Sequence, residues 1–333
     1  MDSIASPLID QIGRPPEGHR VVTGQIPDSS RPEAPLFSTA FGAILVGVLT
    51  EERVAVGSGV ELFVASTSGP VERTLLVIHG GPTWDHTYLL DPLVRLAPKH
   101  RVVFSDLRGC GRSTTGLTAE QYTPDAVIAD LTALLDHLRL DQADVLGFSY
   151  GGQLAARLAL TTDRVRRLVV ASSSVQAVPP DAYAGDMRRA SRLSSGQIAP
   201  YGENPGADQS ADALHNRAEA FANARVEVWH DDKVADYLDR LSKVRFTGDW
   251  NKPYDAGILP PARVPNAIER LAASGLPMLF LHGREDLTFP ARLATVAADA
   301  IPTATAVVLD EAAHMAHVDR PDAWLDAVGN FLK

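Results

Sequence analysis

From Arg53 onward, short apolar runs alternate with stretches of helical spacing, and this alternation restricts the chain to one class of architecture. Arg53–Val56 and Val60–Ala65 flank the turn Gly57-Ser58-Gly59 and read as paired strands. Leu75–Ile78, Val102–Phe104, Asp144–Gly147 and Arg167–Ala171 are further strands, most of them apolar at successive positions. A strand apolar on both faces must be covered on both. The intervening segments supply that cover. Tyr88–Leu96 has helical spacing, and Tyr150–Leu160 is amphipathic. Thr123 or Asp125 can cap a helix reaching Leu138, with Ile128, Leu131, Leu134, Leu135 and Leu138 on one face. The expected class is α/β, a mostly parallel sheet with helices on both sides.

The alternation stops near Ser173. Residues 174–275 offer helical candidates at Ala182–Leu193, Ala211–Ala224 and Asp232–Val244, with a polar stretch at 197–210 and no β-rich run. Strands resume at Met278–Leu281 and Ala306–Leu309, and a helix over Ala323–Phe331 follows. This predicts a core domain of residues 51–173 and 276–333 carrying a helical cap at 174–275. Residues 1–50 form an N-terminal extension rich in proline, whose apolar stretch Ala40–Thr50 suits an added strand, a lid or an oligomer contact.

Composition narrows the function classes. Of 333 residues, 45% are hydrophobic, enough for a sizeable core. Acidic residues outnumber basic ones by 41 to 31, which argues against nucleic acid as a partner, since such binders neutralise phosphates. The one cysteine, Cys110, excludes an intrachain disulfide and a multi-cysteine metal site. The start carries no basic segment followed by an apolar one, and Ala40–Leu49 is too short to span a bilayer. The expectation is a cytoplasmic protein with no membrane partner, and its oligomeric state stays open.

The chemistry concentrates at Gly147-Phe148-Ser149-Tyr150-Gly151, between a strand and an amphipathic helix. A serine on such a turn needs glycines two residues either side, so that neighbouring backbone can approach. The helix N-terminus then favours negative charge developing beside it. A serine hydroxyl needs a base, and the base an orienting acid, here in the order serine, acid, histidine. Asp286, in GREDLTFP after one strand, and His314, in DEAAHMAHVDRP after the last, supply them. Glu285 is a competing acid and His317 a competing base. Both chosen residues sit on loops at carboxyl ends of strands, where open parallel sheets place their sites.

His79-Gly80-Gly81-Pro82 follows another strand, and the backbone N–H groups of Gly81 and Tyr150 are the candidate oxyanion hole. His79 is expected to be structural. Trp84 and Phe148 are candidate pocket walls, Asp106 and Arg108 candidate pins for nearby loops, and Cys110 a possible neighbour of the pocket. His230-Asp231-Asp232 and the pair His314 and His317 lack a matched ligand set, so no metal is expected.

Together these residues resemble the α/β-hydrolase superfamily over about residues 51–333. HGGP at 79–82 and DLRGCGRS at 106–113 are similar to the proline iminopeptidase branch. The resemblance implies a helical cap, a Ser149–Asp286–His314 triad, an acyl-enzyme route and no cofactor. It also implies a cap glutamate holding a substrate's free amino group. Glu203, Glu219 and Glu227 lie in the cap, and Glu219 stands with Trp84 and Phe148 as a substrate-binding candidate. Two departures are plain: the HGGPG of that branch ends here in Thr83, and its GGSWG elbow is GFSYG. The expected activity is hydrolysis of a small amide or short peptide. The alternatives are an esterase, lactonase or thioesterase, or a lyase or cyclase, acting on a small hydrophobic metabolite.

Overall fold

A computed structural model describes residues 49–202, 204 and 206–333. Nearly all of the expected N-terminal extension, and Glu203 of the expected cap, lie outside them. One eight-stranded sheet organises the rest, in the order β1-β2-β4-β3-β5-β6-β7-β8. β1 (Thr50–Gly57), β2 (Val60–Ser66) and β4 (Arg101–Ser105) pair antiparallel. β3 (Thr74–Ile78), β5 (Ala143–Phe148), β6 (Val165–Ala171), β7 (Met278–Gly283) and β8 (Ala304–Leu309) continue from β4 in parallel. β3, β5 and β7 are buried along their whole length, as strands covered on both faces must be.

The helices are α1 (Leu90–Leu93), α2 (Pro124–His137), α3 (Tyr150–Thr161), α4 (Arg188–Ser194), α5 (Ala211–Ala222) and α6 (Ala224–Glu227). They continue with α7 (Val234–Lys243), α8 (Asn251–Asp255), α9 (Ala267–Ser274), α10 (Arg292–Ala300), α11 (Ala316–Asp319) and α12 (Pro321–Phe331). Of the two candidate caps for α2, Thr123 is the one used, its hydroxyl accepting the Ala126 N–H. Between β6 and β7 the described residues form helices and loops without a strand, an inserted helical region.

Three helical expectations change. Tyr88–Leu96 is two 3₁₀ turns flanking α1, because Asp91, ahead of Pro92, is held in an extended conformation. Ala182–Leu193 shrinks to α4, which has no buried residue and so no packed face to extend it. Ala211–Ala224 divides at Asn223, where the side-chain amide donates to Glu219 O and closes α5. A helix the apolar pattern did not reveal, α10, joins β7 to β8.

Candidate active site

Ser149 stands between β5 and α3 with φ +54° and ψ −123°, a strained conformation for a residue with a Cβ. The turn is over-determined by its surroundings. Ser149 N–H donates to Ala171 O at 2.9 Å, and Gly152 N–H donates to Ser149 O at 2.9 Å. At Gly151 a Cβ would lie 2.2 Å from Ile78 O and 2.4 Å from His79 O, so only glycine lets α3 seat against the end of β3.

The chain order predicted from sequence closes in space. His314 Nε2 is 3.2 Å from Ser149 Oγ, and His314 Nδ1 is 2.9 Å from Asp286 Oδ2. The other Asp286 oxygen accepts the N–H groups of Thr288 at 2.7 Å and Phe289 at 2.9 Å. Ser149, His314 and Asp286 form a serine-hydrolase triad. Burial alone would favour a neutral Asp286, but His314 and the hydrogen bonds of His282 and His314 hold its carboxyl well below the usual range. Burial likewise opposes protonation of His314, yet the Asp286 and Glu227 carboxylates outweigh it and push its pKa up to about 9.

The competitors are occupied elsewhere. Glu285 pairs with Arg188. His317 is buried with Nε2 3.2 Å from Tyr88 O, and burial pushes its pKa well down.

The loop after β3 is held from several sides. His79 Nδ1–H donates to Gly80 O at 2.7 Å while Nε2 accepts the Leu107 N–H at 3.0 Å, which fixes a neutral tautomer. Burial lowers its pKa to about 4, consistent with a structural part. Gly80 N–H is taken by Tyr88 Oη at 2.8 Å. Gly81, with φ +113°, leaves no room for a Cβ, which would sit 2.7 Å from Thr83 N. Cys110 Sγ lies 2.6 Å from Pro82 O, and burial keeps its thiol protonated. Asp106 Oδ1 accepts His86 Nδ1–H at 2.6 Å and its Oδ2 accepts the Arg112 N–H at 2.8 Å. Arg108 forks onto Asp130 through two 2.6 Å contacts. Asp106 and Arg108 thus tie the neighbouring loops together.

Two aromatic rings pack against the base, and others continue from them. Phe148 and Phe289, both buried, lie 5.3 and 6.0 Å from the His314 ring. Tyr88 meets Phe148, and half-buried Trp84 meets Tyr88 at 5.1 Å and Phe246 at 5.3 Å. Tyr150 opens α3, so its N–H sits at the helix start while its ring faces Trp250.

The structure places Glu219 and Glu227 of the helical insertion differently from one another. Glu219 Oε1 is partly exposed, 3.9 Å from His215 Nε2. Glu227, at the end of α6, is buried; its Oε1 has no hydrogen-bond partner, and its charge acts on His314. Burial raises the Glu227 pKa, opposed by the attraction of His314. Nothing in helical periodicity separated the two, because the break at Asn223 redirects the chain between them. His282, absent from the predicted site, also reaches the triad. Its Nε2 is 3.0 Å from Asp286 Oδ2, and its signal was a histidine at the end of an apolar strand, four residues before the acid.

Among the described residues no helix is long and apolar enough to cross a membrane, and no group of three or more His, Cys, Asp or Glu is placed to hold a metal ion.

Residues 73–321 match the family model described as the alpha/beta hydrolase fold. The chain is 29% identical over 272 residues to a 2-hydroxymuconate semialdehyde hydrolase of Pseudomonas sp. (strain CF600), covering 78% of this chain and 86% of that one. It is 28% identical over 266 residues to a proline iminopeptidase of Levilactobacillus brevis, covering 75% and 85%. A crystal structure of a hydrolase from Pseudomonas aeruginosa PA01 superposes with a TM-score of 0.62 at 25% identity, covering 85% of this chain and 98% of that one.

Proposed function

The chain belongs to the alpha/beta-hydrolase family, and on that premise we propose that it cleaves an ester, lactone or thioester of a small hydrophobic metabolite through an acyl-enzyme on Ser149. The rings of Phe148 and Phe289 packed on His314, continued from Phe148 through Tyr88 to Trp84, carry this reading, because an aromatic lining suits an apolar acyl group. Two relatives of nearly equal identity bear the names of different activities, a semialdehyde hydrolase and an iminopeptidase, so a substrate confined to peptides has no privilege.

Ser149 Oγ attacks the carbonyl carbon as its proton passes to His314 Nε2, and Asp286 holds the Nδ1–H side of the ring. The oxygen that gains charge is received by the N–H groups of Gly81 and Tyr150, each such donor worth on the order of 3 kcal/mol. His314 returns the proton to the leaving group. Water enters along the same path and attacks the acyl carbon as His314 takes its proton; the bond to Ser149 Oγ then breaks, His314 returns the proton to Oγ, and the acid leaves.

One observation favours a second reading. A buried carboxylate whose Oε1 has no hydrogen-bond partner, Glu227, would pair through that oxygen with the ammonium group of an aminoacyl amide. Matched panels separate the two: acyl aryl esters and lactones against free-amine aminoacyl arylamides, each beside Ser149→Ala. Ester or lactone turnover lost in the variant supports the first. Arylamide turnover that falls when the amine is blocked, and falls again in Glu227→Gln, replaces it with the second. Equal turnover by Ser149→Ala overturns both.

A further inference from the structure

We propose that Asp319 is a positioning residue: its carboxylate clamps cap segment 227–230 onto the loop that carries His314, and so keeps Glu227 against the catalytic base. The reaction scheme above leaves Asp319 without a part. It lies five residues beyond His314 in α11 and is 3% exposed. Its two oxygens gather backbone N–H groups from two separate regions. Oδ1 accepts His230 N–H at 3.0 Å, and Trp229 N–H lies 3.0 and 2.9 Å from Oδ1 and Oδ2. Oδ2 also accepts the N–H of Ala313, next to the base, at 2.9 Å. A fourth bond crosses the same seam: Met315 N–H donates to Glu227 O at 2.8 Å.

His314 is therefore bracketed in sequence, at 313 and 315, by two N–H groups that lead to the insertion, one directly and one through Asp319. A buried carboxylate that accepts several N–H groups holds them in a fixed geometry. In Asp319→Asn the neutral amide would present an NH₂ to one set of donors, leaving either the cap side or the loop side without its acceptor.

The consequence is electrostatic. His314 faces Asp286 from the loop after β7, Glu227 from α6 and His317 from α11. Glu227 in turn faces Arg189, Asp286, the Thr288 hydroxyl and the hydroxyls of Tyr88, Tyr183 and Tyr237, and Asp319 faces His230. Releasing segment 227–230 takes one of the two carboxylates away from the imidazole and leaves Asp286 in place. Protonated His314 then loses part of its stabilisation.

The inference rests on the Ser149–His314 pair and not on any choice of substrate. Its test is an NMR titration of His314 in the full chain, paired with the pH dependence of Ser149 labelling by a fluorophosphonate. In Asp319→Asn the His314 midpoint falls by about one pH unit, and the labelling limb moves with it. Glu227→Gln produces a similar fall, and adding Asp319→Asn to it produces no more. Asp319→Glu, which keeps the carboxylate, restores part of the shift. A merely structural role lowers the melting temperature and the labelled fraction but leaves the midpoint where it was, and that result overturns the proposal. So does an additive shift in the double variant. If Asp319→Asn does not fold, His230→Pro decides by the same midpoint: it removes one cap N–H, at a residue whose φ of −81° is close to proline's range, and leaves the histidine loop intact. If Ser149 resists labelling at every pH, the serine nucleophile falls, while the His314 titration still decides the clamp.

Discussion

The sheet and the helical insertion are held by different means. β3, β5 and β7 bury every residue, and the turn that strains Ser149 is fixed by backbone contacts too close for a side chain. The insertion buries less: α4 has no buried residue, and α5 buries three, Ala213, Ala220 and Phe221. Its ties to the sheet domain include single polar bonds, such as Thr247 N–H to Thr83 O at 2.9 Å, Trp250 Nε1–H to Arg108 O at 2.8 Å, and Arg245 N–H to Asp85 Oδ2 at 3.1 Å. The contrast separates two tasks. Chemistry that tolerates little displacement is built on close-packed backbone, while the insertion joins it through a few core side chains such as Trp250 and Leu271 together with polar bonds that can be exchanged singly.

The contrast can be broken at several points. Ser149→Ala should cost about 10⁴- to 10⁶-fold in kcat on whichever ester or amide is turned over, with the melting temperature kept, and Asp286→Asn about 10⁴-fold. Retained turnover in Ser149→Ala would remove the sheet's claim to the chemistry. Gly151→Ala forces a Cβ into Ile78 O and should cost about 3 kcal/mol, read from the urea midpoint. The matching change on the insertion, Leu214→Ala, alters a side chain 47% exposed and should stay within about 0.5 kcal/mol. Comparable losses at the two positions would erase the distinction.

A subtler effect crosses between the regions. His314 must be neutral to act as base, so kcat/KM rises with pH through its folded pKa, near 9. Glu227→Gln removes a charge that favours the imidazolium, so the acid limb should move to lower pH. A limb that stays put would show the insertion electrically silent. The same pKa sets a stability sign: raised from 6.5, it stabilises the folded chain fully below that value, and the contribution is lost as pH climbs through about 9.

Much of this was legible in the residues alone. The strands were found within a few residues because each is a short apolar run bounded by turn residues. The triad was found because its members sit in fixed order at strand ends, a regularity of the backbone path. Thr123 and Asp125 could both cap α2 by type, and only the observed bond to Ala126 N–H chose between them. Glu219 and Glu227 share a residue type and a helical neighbourhood, and only the break at Asn223 decided which is buried near His314. His282 at the end of β7 and Asp319 at the end of α11 belong to no motif that marks their partners. Local sequence thus determined the sheet, its order of catalytic residues and the glycine-dependent turn, because those follow from near-neighbour sterics and periodicity. Tertiary structure decided which polar side chains meet around the base, because a buried carboxylate's partners lie where separate segments of the chain converge, and no local period encodes that.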